Sequence, residues 1–255
     1  MGATCCPFIA RSAALELLRR SALRLQRMAS IDRGLRPAML MDDAGLWCQI
    51  EYATAHSRAA LFLDRDGVVV ADTRYLGRPE HLRMMEGAGS AIARCNALNV
   101  PVVLVTNQSG IARGYYDWEG FRAVQAALST ELAAVGAHLD GVLACAYHAE
   151  GNEPLRNANH PWRKPNPGMI LAARDCMDID LSRSWIIGDS VSDITAGAAA
   201  GLAGGTLLTV SGGPQREAQL LANDRFVVES AHDLAAAVTT LIERGRFAHQ
   251  DAADQ

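Results

Sequence analysis

Short apolar runs alternate with longer amphipathic stretches along most of the chain. The runs at residues 59–64 (AALFLD) and 100–107 (VPVVLVTN) are almost continuously apolar, which is typical of strands buried on both faces of a sheet. The same pattern predicts strands at residues 141–148, 184–190 and 205–211, and an edge strand at 225–228.

The stretches between these runs have apolar residues at helical spacing. They predict helices at residues 87–98, 118–136, 166–177, 192–201 and 231–245. Alternating strands and helices predict an α/β fold, with a doubly wound, Rossmann-like parallel sheet covered on both faces. We expect residues 58–214 to form the core, and residues 215–255 to complete it with a strand and a helix before a loose tail.

Residues 1–57 do not continue this alternation. Residues 10–30 are rich in arginine and have apolar positions at helical spacing. Three interpretations compete: an amphipathic helix packed on the domain, a targeting-type leader, or a poorly ordered extension. The segment lacks the long apolar run of a secretory signal, so we expect an N-terminal extension that is helical or poorly ordered.

Composition narrows the function classes. Hydrophobic residues make up 49% of the 255 residues, and the formal net charge is −4, so a nucleic-acid partner is not expected. The apolar runs fall well short of the roughly 18 residues that span a membrane. Six scattered cysteines without a C-x-x-C motif indicate a reducing compartment. We expect a cytoplasmic monomer.

Polar side chains stand where the predicted strands end. Asp64 and Asp66 follow the first run, Thr106 and Asn107 end the second, and Asp189 follows the run at 184–190. In doubly wound sheets, ligands bind outside the carboxyl ends of the strands. These residues therefore indicate a functional site at one edge of the sheet.

The residue types at these strand ends suit phosphoryl transfer. Asp64 can serve as nucleophile and Mg²⁺ ligand, while Asp66 serves as general acid and then as base. Asp189 can complete an oxygen-rich Mg²⁺ site, and Lys164 and the Thr106 hydroxyl can bind a phosphoryl group. Any one of these residues alone is more often a turn former or helix cap. The ordered set favours a phosphatase.

Four motifs resemble those of the haloacid dehalogenase (HAD) phosphatase superfamily. They are DRDGVV (64–69), TNQSGIARG (106–114), RKPNPGM (163–169) and GDSxxD (188–193). The second and third narrow the resemblance to the capless family of heptose bisphosphate and histidinol phosphatases. The resemblance covers about residues 58–214, and it implies a HAD-like fold without a large cap domain.

The resemblance also implies roles for individual residues. Asp64 would become an aspartyl-phosphate, Asp66 would be the acid/base with its main-chain carbonyl on Mg²⁺, and Asp189 would be the third metal ligand. Asp193 would lie behind the metal ligands or cap a helix, and both interpretations stay open. Substrate contacts are implied for Asp72, Thr73, Arg74, Tyr75, Thr106, Asn107, Gln108, Ser109, Arg163 and Lys164.

Spacing agrees with a site that has no large cap. Only about 40 positions separate Asp66 from Thr106, and a crossover helix between parallel strands needs many of them. The loop at 148–163 is also too short for a large cap. An open site suits a phosphate carried on an extended, polar molecule.

One loop departs from the family pattern. The family's heptose enzymes carry a structural zinc there, bound by Cys-x-His and then by Cys-x-Cys. Here Cys145 matches, but Tyr147 stands in the histidine position, and His160 and Trp162 replace the paired cysteines. With His148 the loop offers three ligands at most, whereas a structural zinc uses four. We therefore expect Mg²⁺ and no structural zinc, with the loop held by packing and hydrogen bonds.

A second departure is Ser190, which stands where the heptose enzymes have lysine, so substrate affinity or choice is expected to differ. Three functions remain. The first is a Mg²⁺-dependent phosphatase acting on heptose bisphosphate for lipopolysaccharide or activated-heptose synthesis. The others are the same chemistry on histidinol phosphate or another small phosphate, and a non-enzymatic HAD binding domain. The intact catalytic set speaks against the last, because clustered carboxylates are costly without a cation.

Overall fold

A computed structural model describes residues 39–40, 44–51, 57–209 and 215–247. Residues 10–30, for which an amphipathic helix was one of three interpretations, and the tail after residue 247 lie outside these residues. Eight strands are present in the described part of the chain. They are β1 (Met39–Leu40), β2 (Leu46–Ile50), β3 (Leu61–Leu63), β4 (Val102–Asn107), β5 (Gly141–Cys145), β6 (Trp185–Gly188), β7 (Gly204–Leu208) and β8 (Val227–Ala231).

The strands form one sheet in the order β1-β2-β5-β4-β3-β6-β7-β8. From β5 to β8 all neighbours are parallel, and β1 and β2 add an antiparallel edge. The strand β3 therefore lies near the centre, and the chain crosses to opposite sides of it. This arrangement confirms the predicted doubly wound α/β fold.

Helices cover both faces of the sheet. They are α1 (Ala88–Ala97), α2 (Ser109–Ala112), α3 (Trp118–Ala134), α4 (Gly168–Met177), α5 (Val191–Ala200), α6 (Gln215–Gln219) and α7 (Leu234–Glu243), with short 3-10 turns at Pro79–His81 and Leu181–Arg183. Leu61 and Leu63 pack in the layer of α1, α3 and α7, while Phe62 packs in the layer of α4 and α5. This follows from the alternation of side chains along a strand, and all three are fully buried.

Within the segment 1–57, which was expected to be helical or poorly ordered, Leu46–Ile50 form the strand β2. It pairs with β5 from Leu46↔Cys145 to Ile50↔Gly141. The Trp47 ring stacks on Trp118, with ring centroids 5.6 Å apart. The run LWCQI is short, and its partner lies far along the chain, so local periodicity gave no signal for a strand.

Two connections near the strand ends contain little regular secondary structure. Between Asp66 and α1 there is one 3-10 turn, and residues 146–167 contain no helix or strand. None of the helices in the described part of the chain is both long and apolar enough to cross a membrane.

Candidate active site

The polar residues at the strand ends meet at one edge of the sheet. Asp64 follows β3, Thr106 and Asn107 end β4, and Asp189 follows β6. Because β4, β3 and β6 are parallel neighbours, their carboxyl ends lie side by side. The structure therefore brings together the residues that the sequence selected.

Lys164 lies between two carboxylates. Its Nζ is 2.8 Å from Asp64 Oδ1 and 2.6 Å from Asp193 Oδ1, and it also donates to the main-chain oxygen of Val105 at 2.8 Å. Burial would lower the pKa of Lys164, but the charges of Asp193 and Asp64 raise it above its usual value. The ammonium therefore stays protonated and offsets both carboxylates.

Asn107 fixes the main chain of Lys164. The Lys164 N–H donates to Asn107 Oδ1 at 3.1 Å, and Asn107 Nδ2 donates back to the Lys164 carbonyl at 3.1 Å. The sequence predicted Asn107 as a substrate contact. In the structure, both polar atoms of its side chain hold the loop that presents Lys164.

Asp193 combines the two roles that the sequence left open. It forms a capping box with Ser190 at the start of α5, and its Oδ2 accepts from the Ser190 N–H at 3.0 Å. Its other oxygen contacts Lys164. Ser190, which replaces the family lysine, thus serves as the helix cap.

Three carboxylates offer a place for a metal ion. One oxygen each from Asp64, Asp189 and Asp193 lie within 4.8 Å of one another, and in the described part of the chain this is the only such grouping of acidic, histidine and cysteine ligands. Desolvation, and then the charges of Asp64 and Asp193, raise the pKa of Asp189 to about 7. This excess of negative charge and the hard oxygen donors fit Mg²⁺.

Gly67 makes room for Asp189. Its φ of 80° is left-handed, and a Cβ there would lie 2.1 Å from Asp189 Oδ2. A side chain at this position would both strain the turn and displace the carboxylate. The close approach of the Asp189 carboxylate therefore requires the glycine in DRDG.

The Asp66 side chain contacts Arg65 and Gln108. Both of its oxygens accept from Arg65, at 3.0–3.2 Å, and Oδ2 also accepts from Gln108 Nε2 at 3.2 Å. Desolvation raises the pKa of Asp66, although the Arg65 charge opposes this. The carboxylate cluster contains Asp193 in addition to the predicted Asp64 and Asp189. Any Asp66 contribution to metal binding would thus come from its main-chain carbonyl.

Gln108 is buried and fully engaged. Its Nε2 donates to Thr106 Oγ1 at 2.7 Å, and its Oε1 accepts from Arg65 and from the Tyr116 hydroxyl. The sequence predicted a substrate contact here, but the side chain is only 1% exposed. Sequence reasoning passed over Arg65 and Tyr116; the arginine between the two aspartates of DRDG was the available signal.

The segment Asp72–Tyr75, predicted to contact substrate, is exposed beside this site. Asp72 Oδ1 accepts from the Arg74 N–H at 2.7 Å, and Arg74 has a left-handed φ of 68°. The charge of Asp72 adds to the rise in the Asp189 pKa, which places this segment near the carboxylates. Of the remaining predicted contacts, Thr73 is exposed, whereas Ser109 is half-buried at the start of α2.

The loop predicted as a vestigial zinc site is built on an aromatic stack. The Tyr147 and His160 rings are nearly parallel, with centroids 4.1 Å apart, and Cys145 Sγ lies 3.9 Å from His160 Nδ1. His148 is engaged elsewhere: its Nδ1 accepts from the Glu150 N–H at 3.0 Å. Arg163 donates to the Tyr147 carbonyl at 3.1 Å, so this loop also positions a predicted substrate contact.

Comparison with known proteins extends this picture. The family model described as HAD-hydrolase-like matches residues 161–237, which include Lys164 and Asp189. A D-glycero-beta-D-manno-heptose-1,7-bisphosphate 7-phosphatase of Mesorhizobium japonicum is 49% identical over 58% of this chain and 69% of its own. The chain belongs to the HAD-like heptose bisphosphate phosphatase family.

Other members of this family include enzymes named for either anomer. A phosphatase of Burkholderia mallei named for the alpha anomer is 42% identical over 58% of this chain and 78% of its own. The D,D-heptose 1,7-bisphosphate phosphatase of B. bronchiseptica, solved with magnesium and phosphate, has a TM-score of 0.60 at 31% identity over 73% of this chain and 99% of that chain. A HAD-like phosphatase of Mesorhizobium loti has a TM-score of 0.71 at 39% identity. This similarity covers 80% of this chain and 98% of that chain. The family's hydrolysis of phosphate monoesters agrees with the chemistry of the strand-end residues.

Proposed function

We propose that this protein is a Mg²⁺-dependent phosphatase that removes the 7-phosphate of D-glycero-D-manno-heptose 1,7-bisphosphate and leaves the 1-phosphate. The observation that carries this proposal is the position of Asp64 after β3, where it lies beside Lys164 and close to the carboxylates of Asp189 and Asp193. Relatives at 49% and 43% identity are named for the beta anomer, which makes that anomer the first substrate to test.

Asp64 would act as the nucleophile. Its carboxylate oxygen attacks phosphorus in line with the bond to the sugar O7, and that bond breaks as the aspartyl-phosphate forms. Asp66 gives a proton to the departing sugar oxygen, so that the leaving group is an alcohol. Asp66 emerges from this step as a carboxylate.

The second step would regenerate the enzyme. Asp66 takes a proton from a water molecule, whose oxygen attacks phosphorus as the bond to Asp64 breaks. Inorganic phosphate leaves, and both aspartates return to their initial protonation states.

The transferring phosphoryl group needs positive charge and donors. Lys164 and the Thr106 hydroxyl would bind its equatorial oxygens. Asp64, Asp189 and the Asp66 carbonyl would hold Mg²⁺, which supplies a hard cation to offset the negative charge of the phosphate. Arg163 and the segment Asp72–Tyr75 would contact the rest of the sugar phosphate.

Phosphate release from a small panel tests the proposal. The panel contains both anomers of heptose 1,7-bisphosphate, fructose 1,6-bisphosphate and histidinol phosphate, each with and without Mg²⁺. We expect Mg²⁺-dependent release that is fastest with one heptose anomer. Faster release from histidinol phosphate would move the assignment to the other branch of the family.

Asp64→Asn tests the nucleophile. We expect phosphate release to fall at least about 1,000-fold with an unchanged circular dichroism spectrum, since the amide cannot attack phosphorus. Asp175→Asn is the matched control, because Asp175 is a surface residue of α4 paired with Arg174. Activity near wild type in Asp64→Asn would remove Asp64 from this role.

A further inference from the structure

Arg65 is a buried cation with an unusual setting. Its side chain is only 1% exposed, and its guanidinium grips both oxygens of Asp66: Nε lies 3.2 Å from Oδ1, and Nη2 lies 3.0 Å from Oδ2. A planar guanidinium opposite a carboxylate fixes the orientation of both groups. The Asp66 carboxyl plane is therefore set by Arg65.

The helix α3 holds the far side of Arg65. Arg65 Cζ lies 5.4 Å from the centroid of the Phe121 ring, and Arg65 Nη1 donates to Gln125 Oε1 at 3.5 Å. Phe121 is fully buried and Gln125 is 6% exposed. Because α3 packs in the same apolar layer as Leu61 and Leu63 of β3, the position of Arg65 is tied to the core.

A second chain of contacts reaches Asp66 through Gln108. Gln108 Nε2 lies between Asp66 Oδ2, at 3.2 Å, and Thr106 Oγ1, at 2.7 Å. The Tyr116 hydroxyl donates to Gln108 Oε1 at 2.5 Å. Burial raises the pKa of Tyr116 to about 12, so this hydroxyl remains a donor at neutral pH. The amide is thereby held in one orientation.

We propose that Arg65, Gln108 and Tyr116 are positioning residues, which together fix the Asp66 carboxyl group for proton transfer to the leaving oxygen of the substrate. The inference rests on the proposed phosphatase function and adds to it. The residues act through Asp66, because Arg65 and Gln108 are buried and contact its carboxylate, and Tyr116 contacts these two residues.

The leaving group distinguishes this role from a general structural one. A sugar alkoxide is a strong base and leaves poorly without a proton from Asp66, whereas p-nitrophenolate is a weak base and leaves unaided. The ratio kcat/KM reports on steps up to departure of the leaving group. A misaligned Asp66 should therefore lower kcat/KM for a sugar phosphate and leave that for p-nitrophenyl phosphate nearly unchanged.

The test compares Tyr116→Phe, Gln108→Leu and Arg65→Met on heptose 1,7-bisphosphate and p-nitrophenyl phosphate. For Gln108→Leu we expect kcat/KM on the sugar phosphate to fall about 10–100-fold, with a change below about threefold on the aryl phosphate. Tyr116→Phe should give a smaller shift in the same direction. Tyr115→Phe is the matched control, because Tyr115 is 61% exposed. Removal of its hydroxyl should leave kcat/KM on the sugar phosphate, relative to that on the aryl phosphate, unchanged.

Parallel losses on both substrates, or no loss on either, would overturn the positioning role. Arg65→Met removes a buried positive charge from beside Asp66, so of the three variants it is expected to lower the free energy of unfolding most. Tyr116→Phe and Gln108→Leu retain the Arg65–Asp66 pair, so they decide the question if Arg65→Met does not fold. Absence of phosphate release by the wild-type protein from every substrate in the panel would instead refute the proposed function.

Discussion

The positive charge of Lys164 offsets the charges of Asp64 and Asp193, but Asp189, the third carboxylate of the cluster, has no such ion pair with Lys164. Asp64 and Asp193 both contact the buried ammonium, whereas Asp189 reaches solvent at the mouth of the site. Desolvation, and then the charges of Asp64 and Asp193, raise the pKa of Asp189 to about 7. At neutral pH, the protein without metal therefore carries an unfavourable charge that a cation would relieve.

Asp189→Asn should stabilise the protein without metal. The pKa of Asp189 is raised on folding, so the folded state binds more protons than the unfolded state between about pH 4 and pH 7, and stability falls as pH rises through this range. At pH 8 the full penalty is present, and the amide removes it. We expect a higher Tm than wild type at pH 8 without Mg²⁺, measured by calorimetry.

The same variant should lose the response to Mg²⁺. The wild-type Tm should rise with added Mg²⁺, since a ligand that binds only the folded state stabilises it. Asp189→Asn should show almost no rise, while the surface control Asp175→Asn should behave as wild type. An equal Mg²⁺ response in both variants would place the metal elsewhere.

Sequence reasoning selected polar side chains that the structure places at the strand ends, but it did not predict how they are paired. The position of Asp64, Asp189 and Lys164 beside strand ends follows from strand polarity, which periodicity reveals. The ion pair of Lys164 with Asp193 joins a loop to α5, and the contact of Arg65 with Gln108 joins two strand ends. Such pairings depend on side-chain packing in three dimensions, which no local pattern encodes.

At the scale of the element, β2 shows how an edge strand is anchored. Trp47 is 5% exposed and contacts both Trp118 and Phe121 of α3. The Trp118 indole N–H also donates to the Ala44 carbonyl at 2.7 Å. The strand is thus attached by main-chain pairing with β5 and by an aromatic cluster over α3.

Trp47→Ala should destabilise the fold by about 3–5 kcal/mol, because it removes a buried aromatic ring and leaves a cavity under β2. Urea denaturation measures this change. Leu220→Ala is the control, since Leu220 is 85% exposed and its truncation should change stability by less than about 0.5 kcal/mol. A loss below about 1 kcal/mol in Trp47→Ala would mean that the aromatic cluster does not anchor β2.

The loop at 146–167 yields a prediction about metal dependence. His160 stacks on Tyr147 and accepts from the Trp162 N–H at 3.1 Å, so His160→Ala should cost about 1–3 kcal/mol. Cys145→Ser should change stability and activity little. With Mg²⁺ in excess, a zinc-selective chelator should leave the unfolding midpoint of the wild-type protein unchanged, as it should that of the exposed-site control His81→Ala. Destabilisation of the wild type by this chelator, but not of Cys145→Ser, would show that the loop binds zinc.

The sequence predicted the central elements to within a few residues. The strand expected at 100–107 is β4 at Val102–Asn107, and the helix expected at 118–136 is α3 at Trp118–Ala134. Long periodic segments carry this information locally. The strand β2 was missed, because its five residues acquire a strand conformation only through pairing with β5.

At the scale of the whole molecule, the site and the core share the same strands. Asp64, Thr106 and Asp189 lie at the ends of β3, β4 and β6, which form the middle of the sheet. Trp185 packs in one apolar layer and Trp162 in the other. Loss of the sheet should therefore abolish the site and expose both tryptophans together.

Unfolding in urea should consequently give coincident midpoints for phosphatase activity, tryptophan fluorescence and far-ultraviolet circular dichroism. Activity needs the strand ends in register, and the spectroscopic signals need the same strands. Each signal is measured on samples equilibrated at the same urea concentrations. Activity lost at clearly lower urea than the other signals would show that the strand ends loosen before the core.

The position of β2 also bears on synthesis of the chain. Ile50 pairs with Gly141, so roughly 90 residues must follow β2 from the ribosome before its partner strand exists. At translation rates of about 5–20 residues per second, this takes on the order of 5–20 s. During that interval β2 has no partner strand. We expect the apolar segment LWCQI to remain accessible for this time, and crosslinking of stalled nascent chains that end before and after β5 would detect its burial.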